Sequence, residues 1–299
     1  MKIWLRRGLV AVLVVGVAAL GVVEYALFKS RARMDRRIDI AAYSVAIPTE
    51  AAAIERGKYL FSTRGCVDCH GADGAGRAFI DDGSMRVKGA NISPGPGNVV
   101  SKYTPADWER TLRHGVKPDG RPLMIMPSED YNRLSDADLG ALVAYIRQLP
   151  PAAGGAAELV LPLPLRVLYG LGLIPDAASI IDHTRKPTPP VAEGVTVAHG
   201  EYVSAMCIGC HGEGLSGGKI PTGPPDWPAA PNLTPGEGSV MPRYPTAQAM
   251  MTMLRQGKRP DGTAITVMPF DSFKNISDTD VAALHLYLNS LPPRPAGGR

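Results

Sequence analysis

The longest apolar stretch covers residues 9–28 and is broken only by Glu24. About 20 residues at 1.5 Å each span a hydrocarbon core, so residues 1–30 read as a membrane-spanning helix. Lys2, Arg6 and Arg7 precede it, and Lys29, Arg31 and Arg33 follow it. That basic flank is a poor setting for signal cleavage, which favours a retained anchor. From residue 49 the pattern becomes helical and amphipathic. Thr49 and Glu50 can open a helix over residues 51–61. Thr104-Pro105-Ala106-Asp107 combines an N-cap, a first-turn proline and a capping acid, for a helix that stops at Gly115. Ser135 caps a last helix whose Leu139, Leu142, Val143 and Ile146 share one face. Leu149-Pro150-Pro151 ends it. A Gly-rich irregular stretch fills residues 71–100. Residues 159–175 are apolar again, but three prolines and Arg166 interrupt them, so they are too short and broken to span a bilayer. They are expected to pack in a groove between two domains. The alternative is a surface that touches membrane or a partner subunit.

The same pattern then returns. Asn91-Ile92-Ser93-Pro94 recurs as Asn232-Leu233-Thr234-Pro235. Pro118-Asp119-Gly120 recurs at Pro260, Met126-Pro127 at Met268, Ser135-x-x-Asp138 at Ser277 and Leu149-Pro-Pro at Leu291, all with one common offset. That offset is one position longer than the offset of the asparagine motif, so a single insertion between Tyr244 and Leu254 accounts for the difference. A period of this length is a duplicated domain rather than a solenoid unit. The chain therefore divides into an anchor (1–30), a basic linker (31–48), a first domain (49–151), a Pro-, Gly- and apolar-rich linker (152–193), a second domain (194–293) and a tail (294–299).

Charge sharpens this division. The chain has a net charge of +4, yet residues 1–47 hold eight basic and three acidic residues. The excess thus belongs to the anchor region, where it can face lipid phosphates or solvent. Neither domain carries a basic stripe, so nucleic-acid binding is excluded as a function. The 33 Gly and 28 Pro predict long loops around small cores.

The chemistry lies in Cys66-Val67-Asp68-Cys69-His70 and its copy Cys207-Ile208-Gly209-Cys210-His211. C-x-x-C-H is the attachment pattern of a c-type haem. Two thiols form thioethers with the haem vinyl groups, and the adjacent imidazole ligates the iron. A single copy could be a zinc half-site or a dithiol motif. Two copies consume all four cysteines and leave none to complete a zinc site. Two covalent haems c are therefore expected. Haem attachment takes place on the outer face of a bacterial plasma membrane, which puts the bulk of the chain in the periplasm. The outer flank of the anchor (Lys29, Arg31, Arg33, Arg36, Arg37) is the more basic one, against the positive-inside rule. A methionine opposite His raises the reduction potential and closes the iron. Met126 follows His70 at almost the same separation as Met268 follows His211, and each stands before a proline. They match each other across the duplication, whereas Met124 matches Thr266. The expected iron ligands are His70 with Met126 and His211 with Met268. His114 and His285 have no histidine counterpart in the other repeat. They are expected to cap a helix end and to pack or face solvent, with a bis-His haem as the alternative.

With both motifs and both Met-Pro segments, the chain resembles two-haem, two-domain class I cytochromes c. It is most similar to the membrane-bound cytochrome subunits of periplasmic dehydrogenases, several of which carry three haems where this chain has two motifs. The resemblance implies an all-α fold, with two tandem class I cytochrome c domains behind one N-terminal transmembrane helix. It also implies that first and last helices cross in each domain, at Gly57 with Tyr145 and at Gly200 with Tyr287. The implied role is non-catalytic: a relay of electrons from a dehydrogenase or quinol to an oxidase or soluble cytochrome. A di-haem peroxidase or a thiosulfate-oxidising cytochrome is the enzymatic alternative.

Overall fold

The computed structural model describes residues 2–220, 223 and 227–298. Met1 and Arg299, the ends of the expected anchor and tail, lie outside the described residues. Helix α1 (Lys2–Asp35) is, among the described residues, the one helix long and apolar enough to cross a membrane. Its leucines and valines point outward along most of its length.

The first domain contains α2 (Ala51–Thr63), α3 (Cys66–His70), α4 (Pro105–His114), α5 (Ser128–Tyr131) and α6 (Asp136–Ile146). Helices α2 and α6 cross at Gly57. A Cβ there would lie 1.9 Å from the Ala141 carbonyl oxygen and 2.9 Å from Tyr145 Cβ, so only glycine permits the crossing. The apolar face of α6 is fully used: Leu139, Leu142, Val143 and Ile146 are buried with Leu60 and Phe61. The start of α4 is a complete capping box. Thr104 accepts from the Asp107 amide, and the Asp107 carboxylate accepts from the Thr104 amide. Gly115 ends α4 in the left-handed region at φ 64°, which glycine adopts without Cβ strain.

Strands β1 (Ala78–Asp81) and β2 (Arg86–Lys88) follow α3. Strand β2 also pairs antiparallel with β3 (Glu158–Val160) from the linker, with Arg86 opposite Val160 and Lys88 opposite Glu158. The fold is therefore helix-rich with a small three-stranded sheet, not strictly all-α. The alternation that would have announced β1 lies in a Gly-rich stretch too short to carry a period-2 signal.

The linker holds α7 (Leu163–Gly170) and α8 (Ala177–Ile180). Helix α7 packs on the end of α1: a Cβ at Gly170 would sit 1.9 Å from the Ala26 carbonyl oxygen. The expectation of a segment filling the groove between the domains is thus replaced by a contact with α1. The pairing of Arg36 with Asp176 at 2.6 and 2.7 Å ties the two together.

The second domain repeats the first. It contains α9 (Val197–Ser204), α10 (Ile208–His211), α11 (Ala247–Gln256), α12 (Phe270–Phe273) and α13 (Asp278–Ser290). Helices α9 and α13 cross at Gly200, where a Cβ would lie 2.0 Å from the Ala283 carbonyl oxygen and 2.6 Å from Tyr287 Cβ. At α11 the capping box is reduced to one bond, Thr246 accepting from Ala249, because Ala249 replaces the acid.

Candidate haem-binding sites

Each C-x-x-C-H run sits on a short helix ended by glycine. Helix α3 lies between Gly65 (φ 86°) and Gly71 (φ 76°). Helix α10 continues directly from a 3-10 turn (Ala205–Cys207) and ends at Gly212 (φ 79°). On α3 the i and i+3 positions share a face, so Cys66 and Cys69 point the same way. Burial pushes the Cys66 thiol up to about 12, Cys69 to about 11 and Cys207 to about 12. Cys66 sits in the first domain's apolar core and Cys207 packs against the second, seats that suit sulfurs that become thioethers. Among the described residues, no group of three or more His, Cys, Asp or Glu could hold a metal ion.

The histidines fit the same group. His70 Nδ1 lies 2.8 Å from the Ala90 carbonyl oxygen, and His211 Nδ1 lies 2.9 Å from that of Pro231. A carbonyl only accepts, so in each case Nδ1 carries a proton, and in the neutral ring Nε2 is the free nitrogen. This is the tautomer an iron-ligating imidazole needs. Burial also lowers the His70 pKa, against the Ala90 bond, which keeps that ring neutral.

The two carbonyls are positioned by the duplicated asparagines that follow them. Asn91 donates to the carbonyls of Pro96 and Ala152, and accepts from the Ser93 amide and hydroxyl at 2.9 and 2.8 Å. Asn232 donates to Glu237 and Arg294, and accepts from the Thr234 amide and hydroxyl, both at 2.8 Å. Ala152 and Arg294 each follow a Leu-Pro-Pro. The proline pair ends the last helix and presents the next carbonyl to the asparagine. Residues 152–155 and 294–297 are thereby tied to the domains they follow, although composition alone makes the former look flexible. The asparagine motif is visible as a repeat in the sequence. Its role is not, because Asn91 acts on Ala152 at the far end of the domain.

Met126 and Met268 occupy matched turns. Each carbonyl accepts from the amide two residues on, Ser128 and Phe270, at 2.9 Å. The intervening Pro127 and Pro269 have φ −78° with ψ 67° and 71°. This is an inverse γ-turn, which proline favours. Both methionines are half-buried against their own domain's core. By contrast Met241, Met250, Met251 and Met253 are buried in the second core, and Met85 is also buried. His114 lies 3.0 Å from His183 and 3.3 Å from Glu109, and His285 meets the Tyr244 carbonyl at 2.9 Å.

The two sites also share an interface with pseudo-twofold reciprocity. The Gly209 amide, inside the second motif, donates to Asp130 of α5 at 2.8 Å. Ser272 of α12, the counterpart of Asp130, donates to Asp68 inside the first motif at 2.5 Å. Each motif is thus backed by the helix that follows the other domain's Met-Pro turn. Burial and neighbouring Glu129 push Asp130 up to about 8. Tyr59 and Tyr202 make a second reciprocal pair. Tyr59 donates to Asp280 at 2.8 Å and accepts from the Ser277 amide; Tyr202 donates to Asp138 at 2.7 Å and accepts from the Ser135 amide. Each tyrosine therefore meets the first turn of the other domain's last helix. Between them, Arg64 pairs with Asp280 at 3.2 Å and meets the Met206 sulfur at 2.9 Å. The signal for this interface is the repetition of Tyr59 at Tyr202 alongside the repeated Ser-x-x-Asp caps. Without the fold, those caps need no partner in the other domain.

Comparison with known proteins agrees with this picture. Residues 54–150 match the family model described as cytochrome c, and residues 196–288 match that of cytochrome c oxidase, cbb3-type, subunit III. The chain is 29% identical to the fructose dehydrogenase cytochrome subunit of Gluconobacter japonicus, over 84% of this chain and 56% of that protein. It is 29% identical to the alcohol dehydrogenase (quinone) cytochrome c subunit of Gluconobacter oxydans, over 83% and 56%. The gluconate 2-dehydrogenase cytochrome c subunit of Pantoea cypripedii is 28% identical over 82% and 61%. The chain thus spans somewhat more than half the length of the curated relatives it matches.

Proposed function

We propose that this chain, whose two halves match cytochrome c family models, holds two haems c and works as a membrane-anchored electron relay rather than a catalyst. In this reading α1 crosses the bacterial plasma membrane and both domains face the periplasm. Electrons arrive from a periplasmic dehydrogenase or from quinol and leave toward an oxidase or a soluble cytochrome. When bound, each haem supplies one-electron iron chemistry. The chain's residues set its position and potential. Cys66 and Cys69, and Cys207 and Cys210, would hold the two groups covalently. His70 and His211, each with Nδ1 donating to a carbonyl, would present Nε2 to the irons. Met126 and Met268 would supply the second protein ligand to each iron and leave no site for substrate.

The observation that carries the reading is the reciprocal backing of each motif by the other domain's post-Met-Pro helix. It joins the two sites in one interface, as a relay requires. The test is spectroscopic and electrochemical. The resting protein should be low-spin at both irons. Met126→Ala and Met268→Ala should each lower one of two reduction potentials and open one iron to carbon monoxide. A high-spin haem in the resting wild type would refute the closed-iron reading and favour a peroxidase-type enzyme.

A further inference from the structure

We propose that the apolar segment centred on α7 lies in the outer interface of the bilayer, so that the chain grips lipid through two elements, α1 and this segment. The proposal rests on reading α1 as membrane-spanning.

Depth comes from the α1–α7 contact. Gly170 lies against the Ala26 carbonyl and 3.1 Å, as a built Cβ, from the Ser30 amide. Ala26 and Ser30, four positions apart on α1, are both fully buried by this approach. A small residue every fourth position facing a glycine is how helices pack closely in lipid. Ala26 is two positions inside the end of the apolar run 9–28, about 3 Å by helical rise. The crossing therefore sits at the boundary of the hydrocarbon layer.

The segment is also held there. Arg33 donates to the Tyr169 carbonyl at 2.7 Å and lies 4.5 Å over its ring. Arg36 grips Asp176, which also accepts from the Tyr169 hydroxyl at 2.8 Å. What the lock leaves outward is apolar: Val160, Leu163, Leu171 and Leu173 are 44–66% exposed. Over residues 161–175 the only charge is Arg166. Exposed Lys29 and Arg31 flank the same level of α1, where cations meet lipid phosphates. Apolar side chains beside a basic collar, at the end of a spanning helix, match the chemistry of an anionic lipid surface.

The test labels Leu173→Cys and, separately, Val15→Cys with a nitroxide in the full-length haem-loaded protein, whose native thiols are held as thioethers. Each is placed in phosphatidylcholine–phosphatidylglycerol vesicles. Collision with oxygen, which partitions into lipid, is compared with collision with a water-soluble nickel chelate. Oxygen should dominate several-fold at both positions. Nickel dominance at 173 with oxygen dominance at 15 overturns the interfacial segment and leaves the anchor intact. Protection of position 173 from both reagents also overturns it, by showing protein rather than lipid on that face. Nickel dominance at both positions overturns the anchor itself.

Discussion

Replacing Asp280 by Asn strikes the most heavily used side chain between the two domains. Asp280 is fully buried and faces donors on every side: Tyr59 and Arg64 on Oδ2, at 2.8 and 3.2 Å, and His199 on Oδ1, at 2.8 Å. An amide has one oxygen and must turn its NH2 toward one of these donor groups. Turned toward His199, the NH2 can be accepted only by an Nε2 whose proton has moved to Nδ1, which is buried without a partner; turned the other way, it loses both bonds at the other oxygen. It also removes the countercharge of Arg64, whose side chain is 5% exposed. Removing one member of a buried ion pair costs about 3–5 kcal/mol. For a protein of this size that is a fall of roughly 6–20 °C in transition midpoint. The compensating change removes the charge and keeps an unbranched stem beside Met206. Arg64→Met alone leaves Asp280 with Tyr59 and His199 and should cost less. The double variant should recover about 1–3 kcal/mol relative to the sum of the singles. The assay is calorimetry of the full chain in detergent, and Asp280→Asn should also split one transition into two as the domains uncouple. An Asp280→Asn cost below about 1 kcal/mol, or single costs that add within about 0.5 kcal/mol, would refute the hub.

Other consequences are open to direct measurement. Burial raises the Asp280 and Asp138 pKa values, but Arg64, Tyr59 and His199 outweigh it at Asp280, and Arg56 and Tyr202 at Asp138; both end below the ordinary value. Their contribution is therefore complete at neutral pH and is lost as pH falls below about 4; the calorimetric midpoint should drop steeply there, and less steeply in Asp280→Asn. Asn232→Ala removes four hydrogen bonds of about 1 kcal/mol each and frees the carbonyl that holds His211; it should shift one reduction potential and spare the other, with Asn91→Ala doing the converse. Gly200→Ala should destabilise by about 1–3 kcal/mol in denaturant titration, because overpacking against Ala283 exceeds the helix-propensity gain of up to about 1 kcal/mol.

Features decided by neighbouring residues were legible in the sequence. The C-x-x-C-H runs, the Thr104 and Ser135 caps, the stop at Gly115 and the long apolar α1 all depend on bonds within a few positions. The matching of Met126 with Met268 was legible too, since comparing two copies of one domain sets them apart from methionines that only one copy has. The tertiary structure decided what acts at long range. Tyr59 and Asp280 are 221 residues apart, and Arg33 of α1 meets Tyr169 of α7 with the whole first domain between them in sequence. No helical or strand period links such positions. Their pairing follows from which faces two duplicated domains bury against each other, and from where a glycine lets one backbone reach another.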